Sequence, residues 1–96
     1  MTIARVSELI AQKGREDELL DFIEVVVRPN VQRSPGCVSC LAFRNRENPA
    51  IFLIIEEWDS PEAQRAALLA TPPEQVRHLR ILLASGGTAA LYDPLP

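Results

Sequence analysis

The segment AIFLIIEEW, residues 50–58, constrains the fold of this 96-residue chain more than any other. In a β-strand, successive side chains point to opposite faces. One face carries Phe52, Ile54, Glu56 and Trp58, and the other carries Ile51, Leu53, Ile55 and Glu57. Both faces are apolar for most of the strand, whereas an antiparallel strand with one wet face alternates between apolar and polar residues. Helices of the chain can cover one face, so the sequence predicts a homodimer that covers Ile51, Leu53 and Ile55.

Three further segments have the pattern of β-strands. They are residues 2–11 (TIARVSELIA), Cys37–Arg44 and residues 88–92 (TAALY). The turn RNRENP, rich in Asn, Arg and Pro, separates the second strand from the third.

The first helix is predicted from its apolar periodicity and its acidic start. Gly14 ends the first strand, and the acidic residues 16–18 suit the positive end of a helix dipole. From Leu19 onward the apolar face is wide; it comprises Leu19, Leu20, Phe22, Ile23, Val25, Val26 and Val27. A face this wide indicates a helix covered on more than one side, and Pro29 is expected to kink or end it.

Two more helices follow the third strand. Ser60 is a favourable N-cap with Pro61 at the first helical position. Thr71 with Glu74 three residues later has the spacing of a capping box for a second start. That last helix is predicted to run from Glu74 to a stop at Gly86–Gly87, burying Val76, Leu79, Leu82 and Leu83.

The predicted element order is β-α-β-β-α-α-β, without internal repeats. Helices packed on one face of an antiparallel sheet give an α+β, ferredoxin-like fold, and 96 residues suffice for one domain, residues 1–96. The net charge of −3 and the lack of a dense Lys/Arg cluster predict no nucleic-acid partner. The longest apolar run, AIFLII, is far below the roughly 20 residues of a membrane span, and no basic-then-apolar leader opens the chain. We therefore expect a cytoplasmic protein with no membrane partner.

Cys37 and Cys40 raise the question of redox or metal chemistry. A zinc site needs about four ligands, and the chain has one histidine and no second cysteine pair. A reactive pair of the thioredoxin type lies at a helix start, whereas this pair follows a Pro-Gly turn and enters a strand. Residues three apart on a strand point to opposite faces, which does not suit a local disulfide. The interpretation favoured here is packing, with a redox or metal role as the alternatives.

Four short motifs stand between Pro35 and Ala63: Pro35-Gly36-Cys37 before the second strand, Asn48-Pro49 in the turn, Glu56-Glu57-Trp58, and Ser60-Pro61-Glu62-Ala63 at the helix start. With these motifs the stretch resembles the antibiotic biosynthesis monooxygenase family of the dimeric α+β barrel superfamily. The resemblance implies a homodimer in which two sheets face each other, and a pocket between each sheet and its own helices. It also implies oxidation of a small hydroxylated aromatic compound, such as an anthrone or quinol, by O2 without flavin, haem or metal. Such a reaction requires an apolar slot, a proton acceptor and stabilisation of an oxyanion.

The candidate catalytic residues are His78 and Glu56. His78 is the only imidazole of the chain, and its pKa range suits proton transfer, although a solvent-facing position beside the apolar stripe of the last helix is the alternative. Glu56 shares a face with Trp58, so burial of that face requires a partner or a raised pKa; the side chain is then a base or one half of an ion pair.

The candidate substrate-binding residues are Trp58, Arg80, Ile54, Phe22 and Tyr92. Trp58 offers an aromatic wall and an indole N–H, or is a large core residue. Arg80 either holds a phenolate or carboxylate or extends to the surface. Tyr92 ends the last strand, where plugging the barrel edge is the alternative to a ligand contact.

Three positions depart from the pattern of the family. Ile54 stands four residues before the Trp, where polyketide-oxidising members often carry Asn, and Ala67 and Leu68 stand where many relatives have His. These departures argue against haem degradation and remove one oxyanion donor. Two alternatives to a monooxygenase therefore stay open: a non-oxidative isomerase or cyclase of the same fold, and a non-catalytic dimer that binds an apolar metabolite.

Overall fold

Four strands form one antiparallel sheet in the computed structural model, which describes residues 1–96. The strands are β1 (Ile3–Ile10), β2 (Cys37–Arg44), β3 (Ile51–Trp58) and β4 (Thr88–Tyr92). Their order across the sheet is β2-β3-β1-β4, so β3 and β1 are the inner strands. The helices are α1 (Glu16–Phe22), a π-helical segment (Ile23–Val27), α2 (Arg28–Arg33), α3 (Pro61–Ala70) and α4 (Pro73–Leu82). The predicted element order and the α+β, ferredoxin-like fold are confirmed.

The two faces of the sheet differ in burial. The register places Ile3, Arg5, Ser7 and Leu9 of β1 opposite Trp58, Glu56, Ile54 and Phe52 of β3. These side chains lie on the side covered by the helices, and all except the partly buried Arg5 are buried. The core beneath the helices comprises Leu9, Ala11, Leu19, Ile23, Cys40, Phe52, Ile54, Leu82 and Leu83. The apolar surface that this cluster removes from water is the main source of stability.

The opposite, open face of the sheet is apolar and only partly covered. Ile51, Leu53 and Ile55 are half-buried, while the neighbouring Leu41 and Phe43 of β2 are exposed. The prediction that β3 is apolar on both faces is confirmed, and the helices cover the face of Trp58.

The first helical region continues past Pro29. Proline lacks an N–H, and inside an α-helix its ring clashes with the carbonyl four residues earlier. Here the chain forms the π-helical segment Ile23–Val27 immediately before the turn that contains Pro29, and α2 then continues to Arg33. Pro29 therefore does not end the helix. Val25, predicted to widen the apolar face, is instead 72% exposed.

The starts of α3 and α4 differ in how they are capped. The hydroxyl of Ser60 accepts a hydrogen bond from Ala63 N at 3.1 Å, as predicted for an N-cap. The predicted capping box at Thr71 is wrong, because no side chain caps the first turn of α4. The Thr71 hydroxyl instead donates to the carbonyl of Ala67 at 3.1 Å, at the end of α3. Pro72 is the residue before α4.

Helix α4 ends at Leu82, earlier than the predicted stop at Gly86–Gly87. Leu83 has an extended backbone and pairs with Ala11 in an isolated antiparallel bridge. Ala84 N then donates to the carbonyl of Ile10 at 2.8 Å. Pairing with the end of β1 therefore satisfies backbone groups that another helical turn would otherwise have bonded.

Gly36 allows β2 to approach α3 closely. Its φ is +85°, and an added Cβ would lie 2.5 Å from the Cβ of Ala63. Its carbonyl accepts from Asp59 N at 2.8 Å. A glycine is therefore needed here both for the positive φ and for the close contact that places α3 over the sheet.

No helix of the structure combines the length and apolar character needed to cross a lipid bilayer.

Candidate active site

A cavity of about 670 Å³ lies between the helix-covered face of the sheet and the helices. Its walls are apolar side chains from the first helical region and α4, among them Phe22, Val27 and Leu79, together with Ile54 from the sheet. This volume lies within the range of small-molecule sites, which typically combine apolar walls with a few polar groups. The polar groups therefore decide what the cavity can bind.

An ion pair lies on the sheet side of this cavity. Arg5 and Glu56 are direct partners in the antiparallel pairing of β1 with β3. Nη1 of Arg5 lies 3.2 Å from Oε2 of Glu56. Glu56 is 5% exposed, and Arg5 is partly buried. Since a buried carboxylate requires compensation, Arg5 explains how Glu56 is tolerated, and Glu56 is one half of an ion pair.

Trp58 holds the other oxygen of the same carboxylate. Its indole Nε1–H donates to Oε1 of Glu56 at 3.0 Å, and its side chain is almost fully buried. The indole N–H is therefore already bonded within the protein, contrary to the suggestion that it is available to a substrate oxygen. The ring still lines the cavity, so Trp58 supplies an aromatic surface and orients Glu56.

The structure brings together five of the seven predicted site residues. Glu56, Trp58, Arg80, Ile54 and Phe22 all line the cavity. Arg80 is exposed and forms no ion pair, so its guanidinium at the edge of the cavity is available to an anionic group.

His78 and Tyr92 lie outside the cavity lining. His78 is an exposed residue of α4 whose ring packs against that of Phe22, with 4.7 Å between the ring centroids and an interplanar angle of 45°. Tyr92 pairs with Ala4, which puts its side chain on the open face of the sheet, because Ala4 alternates with the helix-facing Arg5. His78 thus supports a wall residue from behind, and Tyr92 belongs to the other side of the sheet.

Arg5, Ser7 and Gln64 are among the cavity-lining polar residues that sequence reasoning missed. Arg5 Nη1 also donates to Ser7 Oγ at 3.0 Å, so one guanidinium nitrogen links the hydroxyl and the carboxylate. Arg5 on β1 and Glu56 on β3 carry opposite charges, which is the sequence signal for an ion pair. The signal identifies a pair only when the register of β1 against β3 is known. Gln64 gave no signal, since a polar residue on a helix is ordinarily read as a surface residue.

A hydrogen bond between α2 and α4 spans one edge of the cavity. Asn30 Nδ2 donates to Oε1 of Gln75 at 2.9 Å, and Arg33 donates to Oδ1 of Asn30. All three side chains line the cavity. This polar bridge therefore ties α2 to α4 at the edge of the cavity.

Cys37 and Cys40 are free thiols on the helix-covered side of the sheet. The prediction that they point to opposite faces is wrong, because a register shift between Cys37 and Ser39 puts Cys37 opposite Trp58 and Cys40 opposite Glu56. Desolvation, followed by the negative charge of Glu56, raises the pKa of Cys40 to about 11 and also raises the pKa of Cys37. Both thiols are therefore kept protonated at neutral pH, and Cys40 is part of the core.

The fold and the cavity define a class of protein: a small ferredoxin-like α+β domain with a ligand-sized apolar cavity and a buried charged pair between sheet and helices. The chain belongs to the antibiotic biosynthesis monooxygenase family, whose sequence profile matches residues 2–81. No curated protein sequence matches the chain.

Solved structures with the same fold cover nearly the whole chain. A structure of an antibiotic biosynthesis monooxygenase superposes with a TM-score of 0.86 at 21% identity, covering 98% of this chain and 99% of the other. A mutant of SnoaB, a cofactor-independent oxygenase from Streptomyces nogalater, gives 0.82 at 22% identity, covering 97% and 92%. Rv0793 from Mycobacterium tuberculosis gives 0.85 at 14% identity, covering 100% and 97%. At these identities the similarities establish the fold, and activity has to be argued from the cavity.

Proposed function

We propose that the protein is a cofactor-independent monooxygenase that oxidises a hydroxylated aromatic compound of the polyketide or quinol type with O2. Membership of the antibiotic biosynthesis monooxygenase family supports a monooxygenase-like activity. The observation that carries the finer proposal is the cavity itself, in which an aromatic wall, Trp58, adjoins a buried charged pair, Arg5 and Glu56. An apolar slot with one acid–base group and one fixed cation is what oxidation through a substrate carbanion requires.

The reaction balances without a cofactor. An anthrone loses a proton from its central carbon, and the resulting carbanion, delocalised onto the ring oxygen, donates its electrons to O2. The carbon–oxygen bond forms, the resulting peroxide anion takes up a proton to give the hydroperoxide, and loss of water leaves the quinone. One oxygen atom of O2 is then in the product and the other is in water.

Glu56 is assigned the role of proton acceptor and later donor. It is the only carboxylate among the cavity-lining residues, whereas the imidazole of His78 lies outside the lining. Its two oxygens are fixed by Trp58 and Arg5, which orients the carboxylate before substrate arrives. Pre-set geometry of this kind is a main source of rate acceleration in acid–base catalysis.

Arg5 is assigned the stabilisation of the oxyanion. Only its Nη1 bonds to other side chains, to Ser7 and Glu56, so its remaining N–H groups are available to a ligand oxygen. Ser7 pairs with Ile54 across the two strands, which places Arg5 and Ser7 beside the position where polyketide-oxidising relatives often have Asn. The polar donor thus comes from β1 instead of β3, with Arg80 as a second cation at the cavity edge.

We also propose that the active form is a homodimer joined through the open face of the sheet. Ile51, Leu53 and Ile55 are half-buried in one chain, and exposed Leu41 and Phe43 extend the same apolar surface. Contiguous apolar surface of this kind is typical of protein interfaces.

A non-oxidative isomerase or cyclase is the second candidate, favoured by the same Arg5–Glu56 pair. Proton removal next to a carbonyl and its return at another position need only an acid–base group and an oxyanion donor. Turnover under nitrogen separates the two functions, because only the isomerase continues without O2. A non-catalytic binder of an apolar metabolite would bind the same ligands without any turnover.

The test is O2 consumption by the purified protein with 1,8-dihydroxy-9-anthrone and with a hydroquinone, without added cofactor. We expect uptake of one O2 per quinone formed, and a loss of at least about 100-fold in kcat for Glu56→Gln, the range expected when a general base is removed. Isotopic oxygen in the product must come from O2. Absence of uptake across a panel of anthrones and quinols contradicts the proposal.

A further inference from the structure

Gln64 is a buried polar side chain without a partner in the protein. It lies in α3, is 8% exposed and lines the cavity. Its backbone N–H bonds to the carbonyl of Ser60, but its side-chain amide takes part in none of the side-chain hydrogen bonds of the structure. A second glutamine on the cavity, Gln75, differs in this respect, since its amide oxygen accepts from Asn30 at 2.9 Å.

The unpartnered amide of Gln64 is accessible from the cavity. The residue as a whole is buried, but the only fully enclosed side-chain nitrogen or oxygen without a partner is Nε of Arg28. Because Gln64 lines the cavity, its accessible amide faces the space that a ligand would fill. The amide offers two donors and an acceptor with two lone pairs, and a ligand that displaces water from it has to replace the lost hydrogen bonds.

Ser7 offers a second unused donor on the sheet side of the cavity. It is 4% exposed, and its oxygen accepts from Arg5 Nη1 at 3.0 Å. The hydroxyl proton then points to no acceptor of the protein, so Ser7 is able to donate to a ligand oxygen. Neutral hydrogen-bonding groups are thus supplied from both layers of the fold, β1 and α3.

We propose that Gln64 is a specificity-determining residue that hydrogen-bonds a hydroxyl or carbonyl oxygen of the bound aromatic compound, so that the cavity selects oxygenated ring systems over their unsubstituted hydrocarbons. This inference rests on the proposed function for the identity of the ligand class, but it concerns binding and needs no turnover. Because the amide both donates and accepts, it suits a phenolic hydroxyl, which does the same. A site built to bond a polar group rejects the analogue that lacks it, since its own buried polar group then stays unpaired.

The experiment compares 2-naphthol with naphthalene, two probes that differ by one hydroxyl. Their dissociation constants are measured by isothermal titration calorimetry with the wild-type protein, Gln64→Leu and Gln75→Leu. We expect Gln64→Leu to weaken 2-naphthol binding by about 3- to 10-fold, the value of one neutral hydrogen bond, while naphthalene binds equally well or better. The melting temperature of the ligand-free Gln64→Leu variant is expected to be equal to or above that of the wild type, because no internal bond is lost.

Gln75→Leu is the matched control. It removes the same chemical group from the same cavity, but one that already bonds to Asn30. We expect a lower melting temperature and an unchanged ratio of the two dissociation constants.

Two results would overturn the inference. One is an unchanged preference for 2-naphthol in Gln64→Leu, and the other is an equal loss of both ligands together with a lower melting temperature, which would make Gln64 a structural residue. Failure of the proposed function gives a different result: the preference for 2-naphthol depends on Gln64, yet no O2 is consumed with any anthrone.

Discussion

Arg5 Nη1 and Glu56 Oε2 lie 3.2 Å apart across the two inner strands of the sheet, on the side covered by helices. The second oxygen of Glu56 accepts from Trp58, and the same Arg5 nitrogen donates to Ser7. Four side chains from β1 and β3 thus form one connected polar group beneath an apolar cavity. Because a buried charge is stable only while its partners are present, this group links the stability of the sheet to the chemistry of the cavity.

Replacement of Arg5 by Leu is expected to lower the free energy of unfolding by about 2–4 kcal/mol, because Glu56 is left buried without a cation. The double variant Arg5→Leu/Glu56→Leu should recover much of that loss. Urea denaturation of the wild type, Arg5→Leu, Glu56→Leu and the double variant measures the coupling. Arg15→Leu is the control, since Arg15 faces Glu18 at 3.8 Å on the surface and contributes less than about 1 kcal/mol. Additive losses in the double variant would mean that the pair is not coupled.

Replacement of Trp58 by Phe keeps an aromatic wall and removes the donor to Glu56. A hydrogen bond to a charged group contributes about 1.5–3 kcal/mol, so the free energy of unfolding should fall by roughly that amount. The Glu56 carboxylate also loses its fixed orientation, so kcat for 1,8-dihydroxy-9-anthrone should fall while KM changes little. If Trp58→Phe lowers stability but keeps the wild-type kcat, Trp58 has a structural role and does not orient Glu56 for catalysis.

His78→Gln is expected to leave kcat/KM for the same anthrone within about 2-fold of the wild type, because His78 contacts the outside of Phe22 and not the cavity. Arg80→Gln is the companion variant. It removes a cavity-lining cation from the same helix and should raise KM by about 3- to 10-fold for substrates that bind as phenolates. Steady-state O2 consumption measures both. A large loss of kcat in His78→Gln alone would move the proton-transfer role to the imidazole.

Because the pKa of the Cys40 thiol is raised, we expect the free energy of unfolding to fall at alkaline pH. Its pKa is raised from 9.0 to about 11 in the folded protein, chiefly by desolvation and then by the charge of Glu56. Between these values the unfolded chain has lost the proton and the folded chain has kept it, so the stabilisation is complete below pH 9 and declines as pH rises toward 11. The loss is on the order of 2 kcal/mol.

The check is the free energy of unfolding of wild type and Cys40→Ala from pH 8 to pH 11. The free energies of unfolding of wild type and Cys40→Ala should approach each other as the pH rises through this window. Cys37→Ser, which keeps Cys40, should show most of the wild-type decrease in the free energy of unfolding. A parallel pH dependence in wild type and Cys40→Ala would rule out this thiol as the cause.

Leu53→Glu is expected to disrupt the proposed homodimer, because it places a charge in the centre of the open apolar face. Sedimentation velocity should show a monomer for this variant and a dimer for the wild type. Leu69→Glu is the control, since Leu69 is 79% exposed on α3, away from the sheet. A wild-type protein that sediments as a monomer, or a dimeric Leu53→Glu variant, would contradict the interface.

Local rules were sufficient for much of the fold. The Ser60 cap was predicted correctly because it depends on residues within one turn of helix. The Thr71 capping box failed, although its spacing was suitable, because the residue that precedes α4 is Pro72 and the Thr71 hydroxyl donates to the carbonyl of Ala67 at the end of α3. Which of several possible hydrogen-bond partners a side chain takes depends on three-dimensional geometry, and the spacing of residues along the chain does not specify that geometry.

The candidate site could be predicted only in part. Glu56 and Trp58 were found because the alternation of β3 places them on one face. Arg5 and Ser7 were missed because only the register of β1 against β3 places them opposite Glu56 and Ile54. Arg5 and Glu56 are 51 residues apart in the chain, and Ser7 and Ile54 are 47 residues apart. The cysteines were assigned to the wrong faces because a one-residue register shift in β2 reverses the side-chain alternation.

The amino-acid sequence by itself determined which residues share a face and that β3 is apolar on both, since the two-residue period of a strand is a local property of the backbone. Only the tertiary structure decided that Arg5 neutralises Glu56, that the Trp58 N–H donates to the same carboxylate, and that Gln64 lines the cavity. Charges and hydrogen bonds act over a few ångströms, so their partners are fixed by strand register and helix packing and not by distance along the chain.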